Sequence, residues 1–183
     1  LTIHTIILAA GKGTRMKSDL PKVLQPLGGS NLISRVITTA QKTSDDITVV
    51  VGHQKNLLKS YIEGHYPSVK TADQDEQLGT GHAVKTAVHL ITPNQRVLIL
   101  YGDVPLISDA TIQNLISSES PCSLLSMVLS DPTGYGRVIQ DSAGHALKIT
   151  EHKDASPEER KINEVFTGTM LVDGGLLIDA LKG

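Results

Sequence analysis

The sequence predicts an α/β fold, a mostly parallel sheet with helices on both faces and a β-rich subregion after it, and three observations carry that prediction. Apolar strand-like runs alternate with segments of helical period through the first 120 residues. The runs Ile6-Ile7-Leu8, Thr48-Val49-Val50-Val51 and Val97-Leu98-Ile99-Leu100-Tyr101 are almost unbroken, as strands covered on both faces are. Past Pro121 the helical period gives way to short strands separated by turn residues.

In order, His4–Ala9 reads as a strand, Leu32–Ala40 as a helix, Ile47–Val51 as a strand, Gln54–Ile62 as a helix and Val69–Ala72 as a strand. Ala83–Leu90 follows as a helix, with Thr80 or Gly81 a natural start, then strand Val97–Tyr101 and helix Ala110–Ile116. Ser123–Ser130, Arg137–Gln140 and Ala146–Glu151 read as strands joined by Asp131-Pro132-Thr133-Gly134 and Asp141-Ser142-Ala143-Gly144. This part is expected to be inserted into or packed on the first half, not to stand as a domain of its own. The helical stretch Leu176–Leu181 runs into an abrupt end at Gly183, and the chain opens on Leu1 without Met, so the sequence is expected to be a truncated piece.

Hydrophobic residues at 39% and charged residues at 20% describe a globular chain, not a disordered one. A net charge of −2 argues against a nucleic-acid polymer as partner, which would call for a basic stripe. The single cysteine, Cys122, makes no intrachain disulfide, and no Cys/His spacing suits zinc; both fit a reducing cytoplasm. The first apolar run has no basic flank and falls far short of the ~20 residues that span a bilayer, so neither a signal peptide nor membrane association is expected.

The chemistry-bearing segments begin with Gly11-Lys12-Gly13-Thr14-Arg15, directly after the first strand, and Pro21-Lys22 beyond it. Gly11 and Gly13 permit positive φ and a close backbone approach, so several N–H groups can face one anion while Arg15 and Lys22 neutralise it. A dinucleotide fingerprint would need glycine at Met16, and a Walker A loop would need Ser or Thr after Gly-Lys; an ordinary tight turn needs neither. Tyr101-Gly102-Asp103-Val104-Pro105 puts a carboxylate at the tip of a buried strand. Both segments follow strands and are expected at one sheet edge, where such folds collect ligands. Asp103 suits magnesium, which takes one or two carboxylates with phosphate oxygens; it would equally cap the next turn. In Gln74-Asp75-Glu76-Gln77-Leu78-Gly79-Thr80-Gly81-His82, Gln74 offers a donor and an acceptor for the edge of a nucleobase, and Gly79 and Thr80 offer backbone to a flat ring; a polar loop before a capped helix has the same residues. Asp131–Arg137 reads as a plain hairpin connection or as a sugar-side loop presenting the Gly136 N–H. Glu151-His152-Lys153-Asp154 reads as a solvated charge run or as a strand end whose Glu151 accepts hydrogen bonds from sugar hydroxyls.

In that order these segments resemble the uridylyltransferase (pyrophosphorylase) domain of the bacterial bifunctional N-acetylglucosamine-1-phosphate uridylyltransferase/glucosamine-1-phosphate acetyltransferases. The blocks that carry the likeness are Leu8–Met16 with Pro21-Lys22, Glu76–Ala83, Tyr101–Ile107, Asp131–Arg137 and Glu151–Ala155. The resemblance implies a Rossmann-like nucleotidyltransferase fold, with residues 1–183 a single incomplete domain whose nucleotide-binding half is 1–120 and sugar-binding half 121–183. It implies Mg²⁺-assisted formation of UDP-N-acetylglucosamine and pyrophosphate from UTP and N-acetylglucosamine 1-phosphate, for cell-wall precursors. Carried onto matching positions, Leu8, Ala9, Ala10, Gly11, Gln74, Gly79, Thr80, Tyr101 and Gly102 hold the nucleotide. Arg15 and Lys22 act on the phosphates as the catalytic cations, Asp103 takes the metal, and Gly136 and Glu151 contact the sugar. The family is a homotrimer through its β-helix acetyltransferase domain, so this piece, which has no hexapeptide repeat, is expected to be monomeric. In the family's Asn-Thr-Gly, this chain has Phe166-Thr167-Gly168, losing one amide contact to the sugar.

Overall fold

The computed structural model describes residues 1–13, 18 and 20–182, which divide into two compact units, Leu1–Ser123 with Met170–Gly183, and Leu124–Thr169. The first unit is built on strands β1 (Ile3–Leu8), β4 (Asp46–Val51), β5 (Lys70–Asp73) and β6 (Arg96–Tyr101), in the order β5-β4-β1-β6. All three pairings are parallel, as near-continuous apolar strands predict. Between them run β2 (Pro26–Leu27) and β3 (Ser30–Asn31), a two-residue ladder, and helices α1 (Leu32–Ala40), α2 (Lys55–His65) and α3 (Thr80–Ala87), with α4 (Asp109–Ile116) after β6. The last strand, β10 (Glu164–Asp173), contributes Met170–Asp173 here, antiparallel to β6, and α5 (Gly174–Leu181) follows it.

Alternation along the strands feeds two cores, one on each face of the sheet. Ile7, Val49, Val51, Leu98 and Leu100 pack with Ile33, Val36 and Ile37 of α1, Leu58 and Ile62 of α2 and Ile112 and Leu115 of α4. Ile6, Val50, Val97 and Ile99 pack with Ala83, Val84 and Ala87 of α3 and Leu177 of α5. Helices therefore cover both faces. Side chains one turn apart make α1 amphipathic, and its first turn is closed by the Asn31 side chain, which accepts from the Ser34 N–H at 2.9 Å. Ser108 closes α4 in the same way through Thr111.

The second unit holds the greater part of β7 (Cys122–Val128), β8 (Arg137–Gln140), β9 (Ala146–Thr150) and the first residues of β10. β8 and β9 form an antiparallel pair with an irregularity between Ile139 and Gln140, Val165 of β10 pairs Arg137 of β8, and β7 also pairs β10.

Three differences from the sequence-based expectation have physical causes. Helix α2 begins at Lys55 because Gln54 stands at φ 53, outside helical space, and it continues to His65, whose ring stacks on Tyr61 at 4.1 Å. The expected helix Ala83–Leu90 takes the Thr80 start that the sequence offers, but its last turn, Val88–Leu90, tightens to a 3₁₀ geometry. β10 was not anticipated, since its alternation is broken by Thr167-Gly168-Thr169. No helix among the described residues is long and apolar enough to cross a membrane.

Candidate active site

β4 lies on one side of β1 and β6 on the other, so the chain reverses its direction of winding at β1. Ligands of parallel sheets collect beyond the carboxyl ends of the strands at such a reversal. There the Ala9 N–H donates to the Val50 carbonyl and the Gly102 N–H to the Leu8 carbonyl, both at 2.9 Å, fixing the loops that leave β1 and β6. A cavity of about 370 Å³ opens above them, and Leu8, Ala9, Ala10, Gly11, Lys22, Gln74, Gly79, Thr80, Tyr101 and Asp103 all line it. Gly102 is not among its lining residues: a Cβ at that position would sit 3.0 Å from Ile33 Cδ1 and 3.3 Å from Ala9 Cβ, so the glycine is packed into the wall behind.

Part of the cavity lining carries amide and hydroxyl groups, from Gln74, Thr80 and Tyr101. Gln74 is almost fully buried, and its backbone N–H donates to the Val51 carbonyl at 2.7 Å. Its side-chain nitrogen is 3.2 Å from the Gly79 carbonyl oxygen and 3.1 Å from His82 Nδ1. The Tyr101 hydroxyl lies 3.4 Å from Thr80 Oγ1.

Another part of the lining is charged. Pro21 starts a single 3₁₀ turn, Lys22–Leu24, closed by the Leu24 N–H on the Pro21 carbonyl. Lys22 reaches the Asp103 carboxylate in a direct ion pair. Gly13 adopts φ +57 and packs so closely that a Cβ there would fall 2.7 Å from Lys22 Cβ, while Gly11 does not use positive φ. Arg15 lies outside the described residues. Among the described residues no three His, Cys, Asp or Glu side chains gather around a metal-sized point. A lone carboxylate fits Mg²⁺ only where phosphate oxygens and water complete the shell, and Asp103, partly exposed on the cavity wall, presents one such carboxylate to the cavity.

In the second unit Gly136 is buried, and a Cβ on it would lie 3.0 Å from Ile149 Cγ2 and 3.6 Å from Glu151 Oε1. Glycine there lets the 132–136 loop close on Glu151. The Phe166 N–H donates to the Gly136 carbonyl at 2.9 Å, setting the two backbones side by side. Arg137, only 1% exposed, holds the arrangement from beneath. Its guanidinium donates to the carbonyls of Pro132 at 2.7 Å and Tyr135 at 2.5 Å, and its Nη2 is 3.3 Å from His152 Nδ1. Asp131 at the loop's start is held below the usual carboxylate range, first by the Thr133 hydroxyl and then by the Thr133 N–H.

A family model described as the MobA-like NTP transferase domain matches residues 5–158, a span that takes in all the cavity-lining residues named above and Gly136, Arg137 and Glu151. The chain belongs to that family. Among curated relatives of this NTP transferase domain, the bifunctional protein GlmU of Cellvibrio japonicus (strain Ueda107) is 48% identical over 173 residues, 93% of this chain and 38% of the relative. The bifunctional protein GlmU of Burkholderia ambifaria (strain MC40-6) is 47% identical over 186 residues, 98% of this chain and 41% of the relative. The chain thus spans about two fifths of the length of these relatives, and the likeness read from the sequence blocks is borne out. A crystal structure of a UDP-glucose pyrophosphorylase complexed with UDP-glucose superposes with a TM-score of 0.79 at 18% identity, covering 100% of this chain and 80% of that one, which shows the shared fold.

Three lining residues of the NTP transferase domain were not singled out from its sequence: Gln77, Val23 and Ala83. The Gln77 amide donates to the Ala10 carbonyl at 2.7 Å, bridging 67 positions of chain to pin the first loop. Its place in the Gln74–His82 segment was the available signal. Val23 and Ala83 supply apolar wall from the 3₁₀ turn and from α3.

Proposed function

We propose that the chain carries the nucleotidyl-transfer site of a sugar-1-phosphate uridylyltransferase, joining UTP to N-acetylglucosamine 1-phosphate with release of pyrophosphate. The observation that carries this reading is the single cavity that gathers the strand-end backbone of residues 8–11, the buried Gln74 amide, and the Lys22–Asp103 pair. Backbone and amide suit the uridine; the cation suits the triphosphate. An oxygen of the sugar phosphate attacks the α-phosphorus, the new P–O bond forms as the bond to the bridging oxygen of the β-phosphate breaks, and pyrophosphate leaves. The attacking oxygen is already anionic at neutral pH, so the chain's residues need only align the reactants and neutralise charge. Lys22, joined by Arg15, would do the second on the phosphates. Asp103 would hold Mg²⁺, which when bound supplies further neutralisation of the phosphate oxygens. Gly136 and Glu151 would take the amino sugar.

Both GlmU relatives are named as bifunctional proteins, and their identity to this chain supports the uridylyl reading over other nucleotidyl transfers. Phe166, beside Gly136 where the resemblance expects Asn, favours a second reading, a related transferase with another sugar 1-phosphate. Pyrophosphate release is the deciding measurement. Mg²⁺-dependent release from UTP with N-acetylglucosamine 1-phosphate supports the first reading. Release only with a different sugar phosphate supports the second, and failure of UTP to bind at all rejects both.

A further inference from the structure

We propose that His82 is a positioning residue that sets the choice of nucleobase by locking the orientation of the Gln74 side chain; this rests on the cavity being the nucleotide site argued above. A primary amide has two N–H donors and one acceptor oxygen. The Gln74 nitrogen spends one donor on the Gly79 carbonyl at 3.2 Å and the other on His82 Nδ1 at 3.1 Å. To accept that second bond, Nδ1 must carry no proton, which places the imidazole hydrogen on Nε2. Of the amide's hydrogen-bonding capacity, the acceptor oxygen alone remains for a ligand.

Turning the amide over would set its oxygen against two acceptors and lose both bonds, in a residue only 4% exposed, where unmet hydrogen bonds are costly. Without His82 the Gly79 carbonyl is the one partner left of the two that hold the amide nitrogen, and the penalty for the turned state falls. An acceptor held toward the base favours a ring that presents an N–H at its pairing edge, as uracil does. It opposes a ring that presents a lone pair there, as cytosine does. A site that reads a donor with a fixed, buried acceptor discriminates strongly because the wrong partner leaves that acceptor unpaired. His82 touches no substrate in this scheme; it acts through Gln74.

Calorimetric titration of UTP and of CTP into the chain, wild type, His82→Leu and His82→Asn, tests the proposal, with a thermal melt of each variant. The wild type is expected to prefer UTP. His82→Leu is expected to cut that preference roughly tenfold, the worth of one well-made hydrogen bond. His82→Asn, whose Oδ1 can stand where Nδ1 stands, is expected to restore most of it. A His82→Leu protein that melts as wild type does and keeps the full UTP preference overturns the proposal. Equal binding of UTP and CTP by the wild type also overturns it while leaving the nucleotide site intact; binding of neither rejects the site itself. The ring tautomer read by ¹⁵N NMR of the wild type needs no variant: hydrogen on Nε2 supports the lock, and hydrogen on Nδ1 refutes it.

Discussion

Lys22 and Asp103, separated by 81 positions in the chain, are directly ion-paired on the wall of the cavity. Their side chains are 39% and 26% exposed, and pairs so accessible to water add little to stability, under about 1 kcal/mol. Under the proposed function the pairing would hold a cation and a metal ligand within reach of one triphosphate. Asp103→Asn is expected to leave the melting temperature within about 3 °C of wild type. It is also expected to abolish the strengthening of UTP binding by Mg²⁺. Calorimetry with and without the ion reads this, and an undiminished Mg²⁺ effect in the variant would leave Asp103 without a metal role.

Gly136→Ala tests the second unit on its own. The added Cβ would press on Ile149 at 3.0 Å and face the Glu151 carboxylate at 3.6 Å, so the neighbours must yield by a few tenths of an ångström and the fold survives. Affinity for N-acetylglucosamine 1-phosphate is expected to fall about tenfold with UTP binding unchanged. Titration of each ligand into the variant separates the two, and equal losses for both would mean that Gly136 is not a sugar contact.

Most of the fold was legible because burial on both faces leaves a local mark: β1 and β4 each end in an unbroken run of three apolar residues, β6 is apolar after Arg96, and α1 repeats its apolar residues at one-turn spacing. The shared edge of Lys22 and Asp103 followed from the same rhythm, as each stands beyond the end of a parallel strand. What stayed hidden depends on partners far along the chain. β10 mixes Thr and Gly with apolar residues and changes neighbours along its length, from β8 at Val165 to β6 at Met170, so no single face is marked. Gln77 looks like any loop amide until it meets Ala10, and the sequence of Arg137 says nothing of its burial.

Arg137 carries a buried charge with no carboxylate in an ion pair among the described residues; carbonyls and His152 take hydrogens from its two Nη atoms, and its Nε has no hydrogen-bond partner among the described residues. Arg137→Met keeps most of the stem but orphans the Pro132 and Tyr135 carbonyls. The expected cost is about 2–4 kcal/mol, summed over the lost charge-assisted bonds. Denaturant unfolding of wild type and variant measures it. A loss below about 1 kcal/mol would mean that water serves those carbonyls as well as the guanidinium does.

His4 gives the chain an acid-sensitive core. It is fully buried in β1, Nε2 lies 2.8 Å from Thr48 Oγ1, and Nδ1 has no hydrogen-bond partner among the described residues. Burial is the main force holding its pKa below the ordinary 6.5; the Lys70 ammonium adds to it and the Asp46 carboxylate opposes it. The unfolded chain therefore takes up a proton near pH 6.5 while the folded chain declines it. Stability is fully present above that pH and drains away as pH falls toward the lowered folded value. Asp46, Asp73 and Glu159 are also held low, Glu159 to about 2, but as carboxylates their contributions are lost in a more acid range. His4→Gln removes the titrating group and keeps a donor for Thr48. Its melting temperature is expected to be nearly flat between about pH 7 and 5, where the wild type declines, with the steeper fall below about pH 4 common to both. Thermal melts across that range decide it, and a variant that keeps the wild-type slope between pH 7 and 5 would move the titration to another group.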